Sequence, residues 1–265
     1  MGKMNSIGKA YKFKALKVYA STEWVLDGKK YRKVFENMET TYLYAELSFY
    51  NKLFDEEDWT AEINLKCFFK VAKGNNKELC NIQEKVDVSK EKNEIYFRQG
   101  WGAETTGTFW KRGDYFWEAW IDGEMVGTAD FHVEGEGLVT SENNPYFNLQ
   151  SMRVFEGGWN YIEENDRVYL KQFSKASTRY VWVEVNIENI AEKPWYCEIF
   201  LFFYDKARQL KGTTSMLNYV NSSTSAKLGF ATGWGNNTGG DTYKQDLYYV
   251  EVVFMENLLG TIPLH

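Results

Sequence analysis

A chain of 265 residues with a formal charge of −6 and 44% hydrophobic residues can hold one large domain or two of ordinary size. Its 10 Trp, 18 Tyr and 18 Phe exclude disorder as the main state, and three Pro exclude a proline-rich linker. A pI near 5.2 offers no net attraction to phosphates, and no apolar run approaches the ~18 residues of a membrane helix. Neither a nucleic-acid nor a membrane partner is therefore expected.

Residues 1–12 read as a leader, basic and without the unbroken apolar stretch of a secretory signal. Gly2 and Ser6 fit the myristoylation pattern only formally. From Tyr11 to Val18 apolar residues alternate with lysines, which predicts a strand. Strands are likewise predicted around Tyr42–Phe49, Trp59–Leu65 and Trp117–Trp120, where β-favouring residues recur with period two. The acidic run Asp55-Glu56-Glu57-Asp58 lacks the spacing of a calcium loop and is read as a solvated turn. Cys67, Cys80 and Cys197 carry no C-x-x-C spacing, which suits reduced, buried thiols in a cytoplasmic protein. Two Asn-x-Ser/Thr triplets, at Asn221 and Asn236, are therefore read as incidental.

Trp120-Ile121-Asp122-Gly123-Glu124 predicts a hairpin closed by a two-residue type I′ turn. Trp117 and Trp120 differ by three residues, so one of them must face away from the core. Trp110, Tyr115 and Trp117 are the candidate binding surface, read as a stacking platform for a sugar or a partner side chain. The competing expectation is that other parts of the protein cover them. His132 lies in a strand outside any nucleophile motif, and no metal, cofactor or catalytic set is expected.

At an offset of 133–138 residues the chain matches itself. Phe97…Gly100-Trp101-Gly102 recurs as Phe230…Gly233-Trp234-Gly235, and Trp59…Glu62-Ile63 as Trp195…Glu198-Ile199. Tyr42-Leu43-Tyr44-Ala45-Glu46-Leu47 matches Tyr180-Val181-Trp182-Val183-Glu184-Val185, and Trp24 falls opposite Trp159. Trp59, Trp195 and the two Gly-Trp-Gly segments are expected to be structural signatures, the latter as turns with Trp packed over a sandwich end. Paired tryptophans should share core or turn roles. The expected organisation is a leader (1–12), module one (13–142) with a linker near 134–145, and module two (143–265). Each module should hold seven or eight strands and no helix. An all-β protein of two tandem immunoglobulin-like antiparallel sandwiches follows, with jelly rolls as the alternative. The second copy is expected to end at, or slightly inside, the edge of its module, as a fragment of a longer polypeptide would.

Trp195-Tyr196-Cys197-Glu198-Ile199-Phe200, Gly100-Trp101-Gly102, Phe116-Trp117-Glu118-Ala119-Trp120-Ile121-Asp122-Gly123 and Glu251-Val252-Val253-Phe254-Met255 resemble the N-terminal region of certain large bacterial AAA+ ATPases. The resemblance runs from Phe13 onward. It implies an accessory region that recognises a protein partner or positions a downstream domain, with no Walker residue and no catalytic residue carried over. The expected function is that of a non-catalytic adaptor. A glycan-binding module using exposed aromatics is the alternative.

Overall fold

The computed structural model describes residues 8–20 and 31–265, so Trp24 and most of the expected leader lie outside the described residues. The chain divides into two compact units between Gly135 and Glu136, inside the expected linker. Residues 136–145 belong to the second unit, where the Val139 carbonyl accepts a hydrogen bond from Asn257 Nδ2 at 2.7 Å.

Unit one contains β1 (Tyr11–Ala20), β2 (Val34–Glu36), β3 (Tyr42–Asn51), β4 (Trp59–Phe69), β5 (Lys77–Val88), β6 (Glu94–Gly102), β7 (Gly113–Ile121) and β8 (Glu124–Glu134). They form a three-stranded sheet, β1-β3-β6, and a five-stranded sheet, β2-β8-β7-β4-β5. All neighbours are antiparallel except the short β2, which lies parallel to β8. Period-two alternation builds the core. Leu43, Ala45, Leu47 and Phe49 of β3 meet Ala61, Ile63, Leu65 and Cys67 of β4 and Tyr115, Trp117, Ala119 and Ile121 of β7. Each fully buried Leu, Ile or Phe stabilises by about 1.5–3 kcal/mol, which is why the register is fixed.

Unit two contains β9 (Phe147–Gly157), β10 (Tyr180–Asn189), β11 (Trp195–Asp205), β12 (Leu210–Val220), β13 (Lys227–Gly235), β14 (Tyr248–Phe254) and β15 (Asn257–Leu264), with one 3-10 turn at Glu164–Asp166. Its sheets run β9-β10-β13 and β12-β11-β14-β15. Matching β9 to β1, β10 to β3 and so on gives the strand order of unit one, apart from the added β2. The protein is thus all-β, with two sheets in each unit.

The Asp122-Gly123 turn forms as expected, with φ of 50° and 77° and Ile121 paired to Glu124. Its counterpart in unit two uses Met255 and Glu256, at φ of 43° and 65°. A left-handed backbone costs a non-glycine residue about 1–2 kcal/mol. Glu256→Gly should therefore raise the stability of unit two by about 0.5–1 kcal/mol in urea unfolding. Met255 is buried and is better left in place.

The Gly-Trp-Gly segments are strand ends, not the turns expected from sequence. Leu43 of the middle strand β3 pairs with Trp101 of the edge strand β6, and Val181 of the middle strand β10 with Trp234 of the edge strand β13. Glycine is required there because the neighbouring strand lays a ring across it. A methyl group at Gly100 would lie 2.6 Å from the Tyr44 ring, and one at Gly233 would lie 2.8 Å from the Trp182 ring. Trp234 packs on Phe203, with ring centroids 5.1 Å apart, whereas Trp101 remains 39% exposed.

Candidate interaction surface

The aromatic platform expected at Trp110, Tyr115 and Trp117 does not exist. The three residues are 1%, 3% and 0% exposed, all inside the core of unit one. Trp110 meets Tyr115 and Phe131 edge-on, and Tyr115 stacks on Phe131 at 5.2 Å. The reason lies in the phase of β7: Tyr115, Trp117, Ala119 and Ile121 face inward, while Glu118 and Trp120 share the outer face. Trp120 is the outward tryptophan that the three-residue spacing demands, with Lys66 Nζ 4.9 Å from its ring centroid.

Other singled-out residues are scattered. Asp55–Asp58 form an exposed turn, and the Asp58 carboxylate accepts a hydrogen bond from the Lys90 N–H at 2.7 Å. Among the described residues no group of three or more His, Cys, Asp or Glu side chains could hold a metal ion. His132 Nδ1 contacts the Asp114 carboxylate across the β7–β8 ladder. The three cysteines are buried.

Two polar clusters went unrecognised at the sequence level, and each occurs once per unit. The first ties a tryptophan to an asparagine. Trp59 Nε1 donates to Asn51 Oδ1 at 3.0 Å, and Trp195 Nε1 to Asn189 Oδ1 at 3.0 Å. Each asparagine amide in turn donates to loop carbonyls: Ser89 and Lys92 in unit one, Ala191, Ser222 and Ser223 in unit two. The second centres on a buried glutamate in the middle strand of each three-stranded sheet. Glu46 accepts from Tyr31 Oη at 2.6 Å and from Arg98 Nε at 2.5 Å. Glu184 accepts from Tyr169 Oη at 2.6 Å, from Arg153 Nε at 3.1 Å, and from Arg167 and Asn186. Tyr31 and Tyr169, Glu46 and Glu184, and Asn51 and Asn189 are each 138 residues apart, so the offset alone could have found them.

Burial by itself would raise the Glu184 carboxyl. The hydrogen bonds from Tyr169, Asn186, Arg153 and Arg167 outweigh it and hold the pKa at about 2. Such a carboxylate stays ionised and saturated at neutral pH, and is a poor general base. What it does is anchor the segment between β9 and β10. Arg167 reaches Glu184 from that segment, donates through Nε to the Ile162 carbonyl at 2.9 Å, and lies over the Tyr161 ring. Trp182 Nε1 donates to the Gly158 carbonyl at 3.0 Å, and Leu170 N–H to Val154 O at 3.0 Å, fixing the segment at both ends.

On this pinned base stand Trp159, Tyr161 and Val168, with 72%, 55% and 67% of their surface in solvent. Of the core or turn role expected for Trp159, the structure excludes the core and places it at a bend after β9. Three large apolar side chains thus stand in solvent on one segment that hydrogen bonds fix at both ends.

No protein-family model matches the chain, and no curated protein matches it. Among solved structures it is similar to the Pseudomonas fluorescens alkylpurine DNA glycosylase AlkC bound to DNA containing an abasic site analog. That likeness has 12% identity and a TM-score of 0.33, over 47% of this chain and 30% of the glycosylase. It is also similar to red sea bream transglutaminase, with 10% identity and a TM-score of 0.33, over 97% of this chain and 31% of that one. The chain thus spans about a third of either protein, and at these TM-scores neither likeness assigns it a family or an activity.

Proposed function

We propose that this chain is a non-catalytic binding region whose second unit docks a protein partner through Trp159, Tyr161 and Val168. The observation that carries the reading is the combination of high exposure at these residues with the buried Glu184–Arg167 ion pair, joined by the part-exposed Arg153, that anchors their segment. A rigid aromatic base limits the side-chain entropy lost on binding, which is what makes such residues efficient anchors. In keeping with the resemblance to the AAA+ N-terminal region, we place the chain inside the cell as the accessory part of a larger ATPase-containing protein. We read each unit as an immunoglobulin-like sandwich and the pair as the product of duplication. The shared strand order and the paired Asn–Trp and Glu–Tyr contacts support both.

The test compares the intact chain with Trp159→Ser/Tyr161→Ser in retrieval of proteins from lysate of the source cell. A partner held by the parent chain should be lost, by about tenfold or more in affinity, from a variant that melts at the same temperature. Undiminished binding by the variant would reject the surface, and turnover of a nucleotide by the chain itself would reject the non-catalytic reading.

A further inference from the structure

We propose that Cys67 and Cys80 form an oxidisable pair that bridges β4 to β5 by a disulfide when the protein meets a pool of small-molecule disulfides. The two residues are directly opposite one another on the antiparallel β4–β5 ladder. Residues so placed have Cα atoms about 4.5–5.5 Å apart, inside the window of about 4.4–6.8 Å that a disulfide spans. Both side chains enter the core of unit one, where Cys67 and Cys80 are 0% and 6% exposed. Cys197 stands opposite Asn218 in β11, so it has no thiol across its rung and serves as an internal control.

Access is set by topology. β5 is an edge of the five-stranded sheet as described, and Cys80, 6% exposed, is the less buried of the two thiols. Burial pushes the Cys67 thiol up, as does the neighbouring Cys80. Exchange in the closed sheet is therefore slow and proceeds when β5 frays from β4. Then the Cys80 thiolate attacks a disulfide RSSR, breaking its S–S bond, forming a mixed disulfide and releasing RS⁻, which takes up a proton. The Cys67 thiolate displaces the second RS⁻ from the Cys80 sulfur. The two cysteines are oxidised, one RSSR is reduced to two RSH, and a reducing pool runs the same steps backwards. The bridge would clamp the sheet edge without altering the pairing already present.

The experiment refolds the intact chain from urea in glutathione buffers of graded oxidised-to-reduced ratio, so that burial does not block exchange. Free thiols are then alkylated and the bridges located by peptide mass spectrometry. A single Cys67–Cys80 bridge is expected, with Cys197 alkylated throughout. It should be half formed at a ratio at least about tenfold more reducing than is needed in the urea-unfolded chain, because the fold presents the two sulfurs together. Bridging no easier than in the unfolded chain, or pairing that includes Cys197, would overturn the proposal. The readout is on the natural sequence, so it does not depend on a cysteine variant folding.

Discussion

Glu184→Gln is expected to destabilise unit two by about 3–5 kcal/mol at neutral pH, the cost of leaving buried guanidinium charge without its counter-ion. The Arg167 side chain is 3% exposed and cannot recover that loss by hydration. The effect should also depend on pH. The folded protein holds the Glu184 carboxyl at about 2 against an ordinary value of 4.5, so the unfolded chain binds its proton more tightly. The stabilisation is complete above about pH 4.5 and is lost as the pH falls through about 2. Urea unfolding of the parent chain and of Glu184→Gln at pH 7 and at successively lower pH should show the difference shrinking toward the acid end. A difference that stays constant across that range would mean that the charge is not what the side chain contributes. Glu46→Gln should cost less, about 1–2 kcal/mol, because the Arg98 side chain is 24% exposed and keeps part of its hydration.

Asn189→Ala is the second large effect, about 3 kcal/mol. It removes the acceptor of the buried Trp195 indole and the donor that holds the Ala191, Ser222 and Ser223 carbonyls. Each group left unpaired in the interior costs about 1–3 kcal/mol, offset where a loop opens to water. Asn51→Ala should be milder, about 1–2 kcal/mol, since Trp59 is only half-buried. Urea unfolding followed by tryptophan fluorescence measures both. Equal, small losses would show that the two asparagines are surface polish and not clamps.

Local pattern carried much of this fold. The Asp122-Gly123 turn, the strands of period two and the opposite facing of Trp117 and Trp120 all follow from backbone sterics and side-chain alternation, which act within a few residues. Trp110, Tyr115 and Trp117 were misplaced because a surplus of tryptophan suggested a surface. The charge of Glu118, two residues from Trp120 on the same face, marks the phase that places Trp117 inside. Glu46 and Glu184 mislead differently. In a strand of period two a glutamate marks the solvent face, yet both are buried, at 4% and 0% exposure. In unit two the cover comes from the stretch carrying Arg167 and Tyr169, which has no regular secondary structure at those residues and no period to read. Gly100 and Gly233 fall in the same class: what excludes a side chain is a ring on the adjacent strand.

Gly233 also gives a position on one strand control over a loop that joins two others. Any side chain there must displace the Trp182 ring, and the Trp182 indole is what holds the Gly158 carbonyl at the root of the exposed loop. A substitution on the edge strand β13 would then be scored, by an antibody or a partner, as a change of epitope. Mutational scans that select for recognition alone should accordingly flag Gly233 alongside Trp159 and Tyr161, although a glycine with no side chain touches nothing that binds.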